Sequence, residues 1–170
     1  VDLGLLGTVF LWIYALASPL GGFLGDRLPR KSVVLASLLL FTVVTFATGF
    51  AATGAQLLWL RGLLGVSEAL YLPAALALIT DYHSGATRSR AIGVHQTGLL
   101  LGGILGGVFA GYMGQHHGWR PAFYVLGGLG LALALLLATV VRERPHAAPA
   151  SRGEKPGLGN LRLILATPTV

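Results

Sequence analysis

Cysteine is absent from the chain, methionine occurs once, and only 11% of the 170 residues are charged, where soluble domains average about 25%. Without cysteine there is no disulfide framework, no thiolate metal site and no cysteine nucleophile. H-E-x-x-H and Walker-type patterns are missing too, and Gly65-Val66-Ser67-Glu68 lacks the second glycine of a G-x-S-x-G elbow. These gaps remove the usual hydrolases and ATP-driven machines. In their place the chain is 54% hydrophobic and carries 25 glycines, which follow no collagen-like triplet period.

Charge-free runs cover residues 3–25, 32–60, 91–119 and 121–141, and a further apolar stretch, 57–80, is interrupted only by Arg61 and Glu68. A helix needs about 20 apolar residues to cross a hydrocarbon core roughly 30 Å thick. The expectation is therefore an all-α polytopic transmembrane bundle of five spans, near 3–24, 32–52, 57–80, 91–113 and 120–141. Segments such as Leu131 to Ala138 lack the alternation of a barrel strand.

Ten of the twelve basic residues fall in every second connection or after the last span: Arg27, Arg30, Lys31, Arg88, Arg90, and five between Arg142 and Arg162. By the positive-inside rule, residues 25–31, 81–90 and 142–160 are expected to be cytoplasmic, within a multi-pass cytoplasmic-membrane protein. Topology thus accounts for the formal charge of +6, and no nucleic-acid partner is needed to explain it. Residues 142–160, with Pro145, Pro149 and Pro156, read as a linker, and 161–170 as the start of a further helix or as an amphipathic tail. The chain opens at Val1 and enters an apolar run almost at once, so the expectation is a portion of a larger protein.

Gly22-Phe-Leu-Gly25-Asp26-Arg27-Leu-Pro29-Arg30-Lys31 stands where the first span ends. It resembles the signature loop between helices two and three of the major facilitator superfamily, G-x-L-a-D-R-x-G-R-R/K, with Pro29 in place of the usual glycine. The resemblance implies five helices of a twelve-helix transporter fold, corresponding to helices two to six, with helix one and the second half outside the chain. From the residues themselves, a glycine one turn before an aspartate permits close backbone approach, the aspartate can accept from a neighbouring helix, and the basic residues anchor the end.

Arg61-Gly62-x-x-Gly65-x-x-Glu68 is similar to the superfamily's fourth-helix R-G-x-x-G-x-G-E pattern, with Ser67 where glycine is common. Arg61 and Glu68 are seven residues apart, hence on roughly one helix face and about 10 Å apart along the axis. An ionised glutamate at mid-span costs at least ~2.5 kcal/mol unless paired or hydrated, so Glu68 is either functional or satisfied by a neighbouring helix. Gly65 to Tyr71, followed by Leu72-Pro73, looks like spinster-like and anion-symporter-like members. That resemblance implies proton coupling and substrate contact at Glu68, with Arg61 neutralising an anionic group or setting Glu68 protonation. Tyr71, one turn on, would line the same cavity, and Pro73 would loosen the helix.

Gly98, Gly102 and Gly106, and likewise Gly103, Gly107 and Gly111, form small-xxx-small faces read as helix-packing surfaces. The family's antiporter signature has a Gly-Pro-x-x-Gly-Gly core, and its proline is absent from Gly102-Gly103-Ile-Leu-Gly106-Gly107. His95 and Gln96 are placed about one turn inside the fourth span, where they bond either substrate or a neighbouring helix. His116 and His117 have no third ligand, so no metal or cofactor is assigned. Gly118 to Phe123 resembles the family's lead-in to helix six and reads as an interfacial anchor. Asp81, Arg88 and Arg90 are candidates to join Asp26, Arg27 and Arg30 in a charge network at the cytoplasmic gate.

The expected partners are a small-molecule substrate (an organic anion, a sugar-like or a lipid-like solute), protons, the lipid bilayer and the rest of the same transporter. The expected activity is secondary transport by alternating access rather than enzymatic chemistry. A membrane scaffold in which Arg61 and Glu68 merely pair, and a drug exporter, are the alternatives.

Overall fold

The computed structural model describes residues 3–141; the predicted linker 142–160 and the stretch 161–170 lie outside the described residues, as does the side chain of Asp26. Five helices follow one another: α1 (Leu3–Arg27), α2 (Arg30–Thr48), α3 (Gly54–Tyr82), α4 (Ala86–His116) and α5 (Arg120–Val140). All five are long and apolar enough to cross a membrane, and no strand occurs among the described residues.

Helix ends follow capping chemistry rather than the limits of the apolar runs. α3 begins at Gly54 because Thr53 and Gln56 form a reciprocal capping box: Gln56 N–H donates to Thr53 Oγ1 and Thr53 N–H to Gln56 Oε1, both at 3.2 Å. α2 stops at Thr48, where Gly49 caps the helix, and its end is gripped from α5. Tyr124 donates to Gly49 O at 2.8 Å and Arg120 to Ala51 O at 3.0 Å. α4 reaches beyond its apolar span at both ends, carrying Arg88 and Arg90 in its opening turns. Gly85, at φ 54°, and Gly118, at φ 82°, supply the left-handed residues of the turns before and after α4.

α3 is the central helix, packed against α1 and α2, while α5 packs on the other side of α2. The sequence permits this by placing small residues where backbones meet. A methyl added to Gly65 would stand 2.8 Å from Phe10 O, and one added to Gly62 2.8 Å from Ile13 Cδ1. Nearer the opposite end a methyl on Gly21 would strike Ala69 O. Ala69 lies four residues before Pro73, which has no N–H to give that carbonyl. The glycine lets α1 settle against an acceptor that the proline leaves open, and α3 continues through Pro73 to Tyr82.

Phe10 lies against Gly65 and Gly21 against Ala69, so α1 and α3 advance in the same direction and run parallel. Ser67 donating to Ser37 O at 2.8 Å, and Arg30 meeting Asp81, show that α2 runs against α3. At the α2–α5 crossing Gly127 fits against Phe46, and Gly130 against Thr42. α4 has no buried residue, touches α5 and α3 sparsely, and does not reach α1. The predicted packing through Gly98, Gly102, Gly103, Gly106, Gly107 and Gly111 is not made among the described residues, where a methyl at each would meet open space. Small size makes close approach possible but does not supply a neighbour, and α3 and α5 meet α4 on other faces.

Candidate functional site

At about 100° per residue the wheel of α3 divides into sectors. Gly62, Gly65 and Ala69 face α1, and Ser67 and Asp81 face α2. Tyr71 turns to α4, where its hydroxyl lies 3.2 Å from His95 Nε2, with the rings stacked at 28° and their centroids 6.0 Å apart. Arg61 and Glu68 fall in the sector between α1 and α4, which no described helix fills, because those two helices do not touch.

Both Arg61 and Glu68 are half-buried. Neither has an ion-pair or hydrogen-bond partner among the described residues; the ion pair found there joins Arg30 to Asp81. Two opposite charges two turns apart on one stripe, beside a tyrosine one turn further, make a polar track on an otherwise apolar bundle.

His95 lies nine residues into α4, deeper than the single turn expected from the apolar span. Its Nε2 meets Tyr71, while its Nδ1 is buried and has no partner among the described residues. Gln96, the next residue, is exposed and forms no hydrogen bond among the described residues. Between α1 and α3 a groove of about 310 Å³ opens toward the far end, lined by Val9, Ile13, Ala55, Leu58, Trp59 and Gly62. Its lining is apolar, and it offers no group to orient a charged solute.

At the basic end Arg30 donates to Asp81 Oδ1 at 2.5 Å and to Ala77 O at 3.1 Å, fastening the start of α2 to the last turns of α3. Arg27 instead lies over the Phe23 ring, 3.8 Å from its centroid. Arg88 is exposed, as is Arg90, Lys31 is half-buried, and none of the three joins the Arg30–Asp81 pair. A methyl on Gly22 would meet nothing; the close approach in this segment is made by its neighbour Gly21. The anchor at the far end is more specific than its sequence suggested, since Arg120 both covers Trp119 at 4.5 Å and bonds the α2–α3 connection.

The sequence pattern of the Major Facilitator Superfamily matches residues 1–170. The chain belongs to this superfamily. Among its relatives, human "Protein spinster homolog 1" is 34% identical over 160 residues, covering 91% of this chain and 30% of the relative. "Probable sulfoacetate transporter SauU" of Cupriavidus necator is 34% identical over 144 residues, covering 85% of this chain and 34% of the relative. The chain therefore spans about a third of the length of the curated superfamily members it matches. Among solved structures, a bacterial homologue of the human lysosomal transporter Spinster matches in two inward-facing states. The occupied state gives a TM-score of 0.69 at 26% identity, covering 81% of this chain and 35% of that one. The unoccupied state gives 0.70 at 26% identity, covering 87% and 36%. The helical bundle is thus a superfamily bundle, and the chain is part of a multi-pass membrane protein rather than an enzyme.

Proposed function

We propose that the whole protein is a proton-coupled secondary transporter that moves a small organic anion across the cytoplasmic membrane by alternating access. The observation that carries this reading is the half-buried, unpaired Arg61 and Glu68 on one stripe of the central helix. Charges left without partners at membrane depth are costly and belong to solute or ion paths. In this reading Arg61 receives the anionic group. Glu68 alternates between protonated and ionised forms, and its charge state biases the inward-facing against the outward-facing arrangement. Tyr71 lines the same path, and the six small residues of the α4 stripe receive helices outside the described ones. Relatives named as a sulfoacetate transporter and as a homologue of a lysosomal transporter support transport, and the first of them supports an anionic cargo.

Residues 25–31, 81–90 and 142–160 then face the cytoplasm. Arg30 and Asp81 form a latch at that gate, with Gly22, Asp26, Arg27, Lys31 and Arg88 around it. The test is uptake by the full-length protein in liposomes under an imposed proton gradient, with sulfoacetate, neutral sugars and lysolipids compared. Uptake of the anion that is abolished by collapsing the gradient and lost in Glu68→Gln is expected. Gradient-driven uptake with wild-type pH dependence in Glu68→Gln refutes the role of Glu68. No flux of any solute by inserted, folded protein returns the chain to a scaffold.

A further inference from the structure

α1 and α3 each carry a proline in the helix interior, Pro19 and Pro73. Each removes the N–H that would bond the carbonyl four residues earlier, Ala15 O in α1 and Ala69 O in α3. In α1 the preceding turn is loosened further, because Ser18 Oγ donates to Tyr14 O at 2.7 Å, a back-bond of the kind that bends helices. The two breaks stand at nearly one depth. α1 and α3 run parallel, with Gly21 against Ala69 and a methyl on Gly25 4.0 Å from Ala74 Cα. Pro19 therefore comes about half a turn before the Gly21–Ala69 contact, and Pro73 about one turn after it.

On the far side of this level the two backbones interlock, since a methyl on Gly65 would stand 2.8 Å from Phe10 O and 3.1 Å from Tyr14 N. α2 has neither proline nor glycine within it, and it is joined to α3 on both sides of Pro73. Before the proline, Ser67 donates to Ser37 O; beyond it, Arg30 reaches Ala77 O and Asp81. An unbroken rod fastened on both sides of a break is a splint.

We infer that Pro73 is a hinge in α3, with the Gly21–Ala69 contact as its fulcrum and α2 as its splint: when the joint at Arg30 opens, residues 74–82 swing against the rest of the helix, and Pro19 lets the end of α1 follow. The glycine suits a fulcrum. The hydrogen that stands where a methyl would be points at Ala69 O, a C–H···O contact that gives the freed carbonyl a neighbour without locking it. A continuous helix would carry the motion of its basic end along its whole length. A hinge at Pro73 confines it to the end beyond Tyr71 and leaves Arg61 and Glu68, which precede the proline, in place. This deepens the transport reading and rests on it for the meaning of the motion, the opening and closing of the path at its basic end, but the hinge is measured without flux.

Leu63→Cys and His83→Cys, at exposed positions on either side of Pro73, carry spin labels in the full-length protein in nanodiscs. A straight α3 puts the two sites about 30 Å apart, and a bend shortens that distance in pulsed double electron–electron resonance. Arg30→Ala is expected to enrich a bent population roughly fivefold or more over wild type, the effect of losing a charge-assisted hydrogen bond. Pro73→Ala gives the straight distance alone, and adding Arg30→Ala to it changes nothing. Melting temperature supplies a second readout. Gly21→Ala lowers it, and lowers it less beside Pro73→Ala, because the restored N–H draws Ala69 O back toward its own helix and away from the added methyl. No bent population in either wild type or Arg30→Ala overturns the hinge, as does a bent population that persists in Pro73→Ala. So does an equal loss from Gly21→Ala in the two backgrounds. Bending without any solute flux in liposomes keeps the hinge and removes the transport reading; proton-driven uptake with one straight α3 keeps transport and removes the hinge.

Discussion

Gly127 and Gly128 are adjacent on α5, yet one is buried and the other exposed, and the same substitution at each is expected to change stability in opposite directions. A methyl at Gly127 would stand 2.7 Å from the N, Cα and Cβ atoms of Phe46. These belong to the main chain of α2 or directly to it, so no side-chain rotation relieves the clash. Reaching ordinary contact near 3.4 Å requires α2 and α5 to separate by about 0.7 Å. Overpacking of this kind costs about 1–3 kcal/mol, against which alanine recovers up to about 1 kcal/mol of helix propensity. Gly127→Ala is therefore expected to lose up to about 2 kcal/mol net. At Gly128 the methyl meets nothing within 4 Å, and the propensity gain stands alone. The difference between the two variants isolates the overpacking cost, because propensity cancels. The assay is thermal unfolding of the full-length protein in nanodiscs, followed by tryptophan fluorescence. A second readout is Tyr124→Phe in each background: its hydroxyl bonds Gly49 O one turn away, and that bond is worth less once the helices have parted. Equal shifts from Gly127→Ala and Gly128→Ala would refute the reasoning.

Three further outcomes follow from the contacts between helices. Arg30→Asp combined with Asp81→Arg is expected not to restore the melting temperature, because the carbonyl of Ala77 also accepts from Arg30 and a carboxylate there would face an acceptor; full rescue by the swap would show that charge alone matters. Ser67→Ala removes the donor to Ser37 O in the α2–α3 contact and should cost about 1 kcal/mol in the same unfolding assay, with Ser67→Thr and Ser67→Gly separating the hydroxyl from the space it fills. Thr53→Ala breaks the capping box that begins α3 and is expected to lose about 0.5–2 kcal/mol, while Thr53→Asp or Thr53→Ser retains most of it; hydrogen exchange at Gln56 N–H reports the loss locally.

Much of the architecture was legible because the bilayer imposes a ruler: charge-free runs locate spans, and basic residues in alternate connections establish the alternation of the helices. Partnership was harder to read. Spacing puts Arg61, Glu68 and Tyr71 on one side of α3, but the identity of the facing helix depends on how five rods are arranged, which no local pattern encodes. Glycine illustrates this most sharply. The stripe in α4 has the more regular pattern, and it meets no neighbour among the described residues, whereas Gly21, Gly65 and Gly127, on no such stripe of three glycines, make the intimate crossings. The signal that could have singled out Gly21 is Pro73, whose missing N–H leaves the Ala69 carbonyl available, but pairing those two residues requires the parallel register of α1 and α3. Ser67 likewise read as a departure from a glycine pattern, and its hydroxyl ties α3 to α2. The longer extent of α4 was hidden because charged residues end an apolar run without ending a helix.

α2 is bolted at both ends, to α3 through Arg30 and Asp81 at the basic end and to α5 through Tyr124 and Arg120 at the far end. A rod pinned at each end to a different neighbour acts as a diagonal brace: it resists sliding of α3 past α5 along the membrane normal, since displacement in either direction strains one of the two joints. Among the described residues α4 has no such pair of bolts, and its polar tie to the braced frame is the Tyr71–His95 contact. Among the described residues the bundle thus divides mechanically into a truss of α2, α3 and α5, with α1 nested against α3, and one lightly tethered beam whose tether is a single pair of stacked rings.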